Sequence, residues 1–95
     1  MDLAVISEKI KGYFEDKPIK KVFIFGSYSR NEQTPKSDID ILISMDMPVG
    51  LFKLAQYSLD LESLLGIKVD LGTEGGVSQE AWPYIEKDMK LVYER

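Results

Sequence analysis

The spacing of apolar and polar residues changes between a helical and a strand period along the chain, and it predicts alternating helices and strands. Helices are predicted over residues 3–14, 27–33, 51–65 and 79–87. Strands are predicted over residues 21–25, 38–44 and 67–71, with a further strand at 90–93. Pro83 cuts into the first turns of the last helix, because proline lacks the N–H of a helix interior.

The order α-β-α-β-α-β-α, with a C-terminal strand, is typical of an α/β (α+β) fold. We therefore expect a small mixed β-sheet with flanking helices. A chain of 95 residues is long enough for one such unit, so residues 1–95 are expected to form a single domain.

The predicted helix 51–65 carries an apolar stripe that we expect to pack into the core. Gly66 follows it and is a suitable residue to end it in a left-handed conformation. The segment 72–76, with three glycines, is expected to be a flexible loop. The stripe consists of Leu51, Leu54, Tyr57, Leu61, Leu64 and Leu65.

Composition narrows the chemistry, because the chain has no cysteine and no histidine. Zinc fingers, thiol catalysis and Ser-His-Asp triads are excluded. Twelve basic against sixteen acidic residues give a net charge of -4, so direct nucleic-acid binding is not expected.

No apolar run approaches the ~20 residues that span a bilayer, and no signal peptide is recognisable. We expect a cytoplasmic protein without membrane contact.

Three carboxylates are the candidate reactive groups. Asp38 and Asp40 open the second predicted strand and lie on one face, roughly 6.5–7 Å apart. Asp70 lies on the third strand between apolar neighbours. Three anions side by side would repel one another, whereas their oxygens are the ligands that Mg²⁺ accepts. One or two such ions could activate an attacking hydroxyl and neutralise a leaving pyrophosphate.

A Gly26-Ser27 pair follows the first predicted strand and begins the short helix. Glycine allows the backbone to approach an anion, and the N–H groups of a helix start face it. The Ser27 hydroxyl can add a hydrogen bond, so the pair is a candidate phosphate site. Arg30, one turn further on, either reaches the same phosphates or forms a surface ion pair. Ser37 either contacts phosphate or metal, or only orients its loop.

These groups meet only in one arrangement of the predicted strands. The first strand ends at Gly26, the second begins at Asp38, and Asp70 lies near the end of the third. We therefore expect the second strand to run antiparallel to both others.

The combined motif resembles the minimal nucleotidyltransferases of the DNA polymerase beta-like superfamily. The resemblance rests on Gly26-Ser27, the pair Asp38 and Asp40, and the later Asp70, and it covers nearly the whole chain. It implies transfer of a nucleoside monophosphate, typically AMP from ATP, to a hydroxyl with Mg²⁺. Asp38, Asp40 and Asp70 would be metal ligands and catalytic residues, and Asp70 would accept the proton of the acceptor hydroxyl.

Gly26, Ser27, Arg30 and Ser37 would bind the nucleotide on the same resemblance. The chain reads Gly-Ser-Tyr-Ser-Arg-Asn where the family commonly has Gly-Ser-x-Ala-Arg-Gly, and Asn31 replaces glycine at a position where it tolerates left-handed geometry. No metal ligand is lost by these departures.

Minimal members of this family often act as antitoxins of HEPN-type ribonucleases, in some cases by attaching AMP to a tyrosine of the toxin. We therefore expect an enzyme that adenylylates a partner protein, with the partner or self-association completing the nucleotide pocket. A catalytically silent antitoxin that neutralises its partner by binding alone is the alternative. Transfer to a small molecule is disfavoured, because no acceptor-binding domain is recognisable.

Overall fold

The computed structural model describes residues 2–95 as a four-stranded sheet covered by helices. The α-helices are α1 (Leu3–Phe14), α2 (Leu51–Leu65) and the short α3 (Trp82–Glu86). The strands are β1 (Lys21–Phe25), β2 (Ile39–Ser44), β3 (Val69–Thr73) and β4 (Lys90–Glu94). The expected α/β class and the C-terminal strand are confirmed.

The sheet has the order β3-β2-β1-β4 and is mixed, as expected. Strand β1 pairs antiparallel with β2 and with β4, whereas β2 and β3 pair in parallel. The prediction that the second strand runs antiparallel to the third is therefore wrong. The reason is the crossover through helix α2. This helix returns the chain to the end of the sheet at which β2 begins, so that β3 starts at the same end and runs in the same direction.

Strand β3 is also shifted by two residues relative to the prediction, since it runs to Thr73 rather than ending at Leu71. Gly72 and Thr73, which were expected in a loop, pair with Leu42 and Ile43 of β2. Asp70 is consequently the second residue of its strand and does not lie near its end.

Helices α1 and α2 have the predicted bounds. The side chain of Asp2 caps α1 by accepting a hydrogen bond from the amide of Val5 at 2.9 Å. Gly66 ends α2 with φ 68°, in the left-handed conformation that glycine adopts without strain. The last helix is shorter than predicted, because Pro83 is tolerated only near its first residue.

The core lies between the helices and one face of the sheet. Fully buried aliphatic side chains of this kind contribute about 1.5–3 kcal/mol each to the free energy of unfolding. Leu51 and Leu64 of the predicted stripe remain 84% and 40% exposed, so that part of the core prediction is wrong. The core residues include Ile6, Ile10, Phe14, Val22, Ile24, Ile39, Ile41, Ile43, Tyr57, Leu61, Leu65 and Tyr93.

Within residues 2–95, none of the helices combines the length and apolar character needed to cross a bilayer.

Candidate functional site

The carboxylates of Asp40 and Asp70 are brought together by the parallel pairing of β2 and β3. The two residues are in register, and each is the second residue of its strand. Because side chains alternate along a strand, Asp40 points away from the core face that holds Ile39 and Ile41. The two carboxylates therefore lie on the sheet face opposite the core, at the end of the sheet where β2 and β3 begin.

The electrostatics of this pair are unfavourable to a double negative charge. Partial burial, followed by the charge of the Asp70 carboxylate and a hydrogen bond shared with it, raises the pKa of Asp40 to about 6. The charge of Asp38 acts in the same direction, whereas Arg30 lowers the pKa. The charge of Asp38 therefore acts on Asp40, although Asp38 is exposed and precedes the strand.

The predicted three-carboxylate metal site is only partly assembled in this conformation. Across residues 2–95, no three side chains of His, Cys, Asp or Glu are gathered closely enough to hold a metal ion. The donors present nevertheless fit Mg²⁺, which nucleotide-binding proteins commonly hold with one or two carboxylates, waters and substrate phosphates. A divalent cation between Asp40 and Asp70 would also remove the repulsion that raises the pKa of Asp40.

Gly26 lies directly against the carboxylate of Asp40. It follows Phe25, the register partner of Asp40, and has φ 74°. A Cβ atom at this position would overlap Oδ2 of Asp40. Glycine is therefore required here for two reasons, its left-handed backbone and the space for the carboxylate.

The segment after Gly26 forms a hydrogen-bonded turn and not the predicted helix over 27–33. The carbonyl of Gly26 accepts from the amides of Ser29 and Arg30 at 3.1 and 3.2 Å. Asn31, with φ 58°, ends the turn in the left-handed region where asparagine is tolerated. We call residues 26–31 the glycine turn.

Ser29 is a structural residue of the glycine turn that sequence reasoning missed. Its side chain is buried, and its Oγ donates to the carbonyl of Gly26 at 2.8 Å. A serine three residues after a turn glycine is the local signal that could have indicated it. Ser27 lies in the same turn, half-buried, with its carbonyl accepting from the amide of Glu32 at 2.9 Å.

Arg30 forms ion pairs on both sides of its guanidinium. Nη1 donates to Oδ2 of Asp88 at 2.5 Å, and Nε donates to Oε2 of Glu32 at 3.4 Å. The sequence left open whether Arg30 forms an ion pair or reaches phosphates, and the structure shows the ion pair. Asp88 was not predicted, because it lies 58 positions after Arg30 in the sequence and no local pattern links the two residues.

Ser37 stabilises the loop that leads into β2. Its Oγ accepts from the amide of Thr34 at 2.8 Å, and its own amide donates to the carbonyl of Thr34 at 3.0 Å. The loop also lines a groove of about 450 Å³ beside Asp38, whose opposite wall includes Gly66 and Lys68. The groove is large enough for part of a nucleotide or for an acceptor side chain.

The comparisons with known proteins agree with this geometry. The nucleotidyltransferase domain family matches residues 7–92. A protein of Methanocaldococcus jannaschii, provisionally named a protein adenylyltransferase, is 42% identical over 95 residues, covering 97% of this chain and 94% of its own length. The chain therefore belongs to the nucleotidyltransferase domain family.

One solved structure places the chain within that family more closely, and two others share its fold. A structure provisionally described as a minimal nucleotidyltransferase has a TM-score of 0.81 and 28% identity, covering 95% of each chain. A toxin-antitoxin structure with AMP-PNP has a TM-score of 0.83 and 24% identity, covering 94% of this chain and 73% of that one. A third contains a tri-AMPylated Shewanella oneidensis HEPN toxin with its MNT antitoxin, with a TM-score of 0.77 and 21% identity, covering 97% and 72%. The chain is a minimal nucleotidyltransferase.

Proposed function

We propose that this chain transfers AMP from ATP to a hydroxyl group of a partner protein, with Mg²⁺ as cofactor. The observation that carries the proposal is the pairing of Asp40 with Asp70 beside the glycine turn. The relative provisionally named a protein adenylyltransferase supports AMP as the transferred group and a protein as the acceptor. ATP of the cytoplasm would be the source of the nucleotide.

The reaction is an in-line displacement at the α-phosphorus of ATP. The acceptor oxygen forms a bond to phosphorus while the bond to the bridging oxygen of pyrophosphate breaks. The acceptor proton passes to the carboxylate of Asp70, which is the candidate base. Asp38, Asp40 and Asp70 would hold Mg²⁺, which when bound neutralises phosphate charge and lowers the pKa of the attacking hydroxyl.

The glycine turn and its neighbours would bind the triphosphate. In this proposal Gly26 keeps the backbone close to the carboxylates, and the Ser27 hydroxyl donates to a phosphate oxygen. Arg30 contributes positive charge, which already reaches Asp40 in the structure. Ser37 holds the loop before Asp38 and lies beside the groove.

The partner we propose is a HEPN-type toxin, which makes the chain an antitoxin. The support is the fold shared with an antitoxin solved in complex with a tri-AMPylated HEPN toxin. A small, open site also favours an acceptor carried by a folded partner, because the chain itself has little surface with which to enclose one.

The experiment uses ATP labelled at the α-phosphate, Mg²⁺ and a purified HEPN-type toxin as the partner. We expect label on the partner with the wild-type chain and none with Asp40→Asn or Asp70→Asn. Asp46→Asn is a matched control, because Asp46 follows the other end of β2 and is ion-paired with Arg95. Neutralisation of the partner by an Asp38→Asn/Asp40→Asn double variant, without label, would favour an antitoxin that acts by binding alone.

A further inference from the structure

The ion pair between Arg30 and Asp88 connects the glycine turn to the C-terminal part of the fold. The two side chains meet at 2.5 Å, which is a short, charge-assisted hydrogen bond. Asp88 lies in the connection between α3 and β4, where its amide donates to the carbonyl of Ile85 at 3.0 Å. The contact therefore joins two segments that are distant in sequence.

We infer that Asp88 is a positioning residue, which holds the Arg30 guanidinium beside the carboxylate pair in the orientation that binds the triphosphate of ATP. The inference rests on the proposed function and adds a residue to it. Asp88 does not itself touch the nucleotide in this account, and it acts only through Arg30.

The two acidic partners of Arg30 differ in how well they can fix it. The Asp88 side chain is 12% exposed, whereas that of Glu32 is 65% exposed and its contact is longer, at 3.4 Å. An exposed pair of long side chains contributes little, because solvent screens it and both side chains lose rotamer freedom. Asp88 is therefore the partner that sets the position of the guanidinium.

The backbone on both sides of the contact is anchored to the same strand. Gly26, where the glycine turn begins, follows the last residue of β1. Lys90, two residues after Asp88, pairs with Ile24 of β1. A carboxylate held in this way provides a fixed point from which a flexible arginine side chain can be oriented, and less ordering is needed when the nucleotide binds.

The geometry of the contact leaves Arg30 able to bind a ligand. Asp88 accepts a hydrogen bond from Nη1 and Glu32 accepts one from Nε. A guanidinium has five N–H donors, so others, including both on Nη2, remain for a ligand. The backbone of Arg30 is also held next to the site, because its amide donates to the carbonyl of Gly26 at 3.2 Å and Gly26 lies against the carboxylate of Asp40. The free donors of Arg30 therefore start from a point beside the carboxylate pair, so positioning accounts for the contact better than sequestration.

The test measures KM for ATP and kcat of adenylyl transfer for Asp88→Ala, with Glu32→Ala as the matched control. We expect Asp88→Ala to raise KM for ATP about tenfold with a smaller change in kcat, as for the loss of one charge-assisted hydrogen bond. Glu32→Ala is expected to change KM less than about twofold. Asp88→Glu keeps the charge and is expected to restore most of the affinity.

A double-mutant cycle separates positioning from a general structural role. In an Arg30→Gln background, Asp88→Ala is expected to change KM less than about twofold, since its effect passes through Arg30. An equal effect in both backgrounds, or an unchanged KM in the single variant, would overturn the inference. If the Asp88→Ala variant does not fold, Asp88→Asn takes its place in the cycle, because asparagine keeps the shape of the aspartate side chain and removes its charge. A wild-type chain without transfer activity would instead refute the proposed function.

Discussion

Asp40 and Asp70 are register partners across the parallel pair of β2 and β3, so their carboxylates meet on one face of the sheet. Burial and the neighbouring Asp70 carboxylate together raise the pKa of Asp40, and they make two negative charges here unfavourable in the absence of a cation. Such an arrangement costs stability, which is expected where function rather than folding determines the residues.

Asp40→Asn is predicted to stabilise the protein in the absence of divalent ions. Because the folded state raises the pKa of Asp40 from 3.8 to about 6, the fold loses stability as pH rises from about 4 to about 6, and the loss is complete above that value. Below about pH 4 the carboxyl is protonated in both states, so the benefit of the substitution disappears. Thermal unfolding in EDTA is expected to show a gain of about 5 °C at pH 7.5 and little at pH 4.

Asp38→Asn is the control for this prediction. Asp38 is exposed and precedes β2, so removing its charge is expected to change the midpoint of unfolding less. An Asp40→Asn variant that is no more stable than the wild type at pH 7.5 would contradict the proposed repulsion.

Gly26→Ala is predicted to destabilise the fold and to disturb the site. The added Cβ would overlap Oδ2 of Asp40, and the left-handed backbone costs about 1–2 kcal/mol for a residue other than glycine. We expect a loss of at least about 2 kcal/mol in urea unfolding, together with a loss of transfer activity.

Gly12→Ala is the matched control for Gly26→Ala. Gly12 lies within α1, and a Cβ there would meet nothing within 4 Å. Alanine is the better helix former, so this variant is expected to gain about 0.5–1 kcal/mol. Equal effects of the two substitutions would show that Gly26 has no special geometric role.

Tyr13→Phe is predicted to lower stability without altering the site. The Tyr13 hydroxyl donates to Oδ2 of Asp60 at 2.6 Å and joins α1 to α2. Burial and this hydrogen bond raise the pKa of Tyr13, so the hydroxyl remains a donor over the whole working range of pH.

The expected loss for Tyr13→Phe is about 1 kcal/mol in urea unfolding, the usual contribution of one hydrogen bond. Tyr84→Phe, at a side chain that is 70% exposed, is expected to cost less than about 0.5 kcal/mol. A neutral Tyr13→Phe variant would mean that the contact between the helices contributes nothing.

The parts of the fold that the sequence predicted well are those with strong local signals. Helices α1 and α2 have marked apolar periodicity, and Gly66 ends α2 in the conformation expected of it. The direction of β3 has no local signal, because it depends on which strand supplies its hydrogen-bond partners. Gly72 indicated a loop, yet pairing with β2 keeps it in the strand.

The candidate site shows the same division. The proximity of Asp40, Asp70 and Gly26 was the assumption from which the strand directions were predicted; the structure shows the three residues together, although the predicted direction of β3 is wrong. The ion pair of Arg30 with Asp88 could not be predicted from the sequence, since only the tertiary structure brings these residues together. The roles of Asp38, Ser27 and Ser37 toward metal and phosphate stay predictions.

The binding of Mg²⁺ and nucleotide at the carboxylate pair is tested most directly by thermal unfolding with Mg²⁺ and AMP-PNP, each at millimolar concentration. Ligand binding to the folded state alone raises the midpoint by mass action, so we predict an increase for the wild type and none for Asp70→Asn. Equal midpoints of the wild type with and without these ligands, or an undiminished increase in Asp70→Asn, would contradict a nucleotide site built on Asp40 and Asp70.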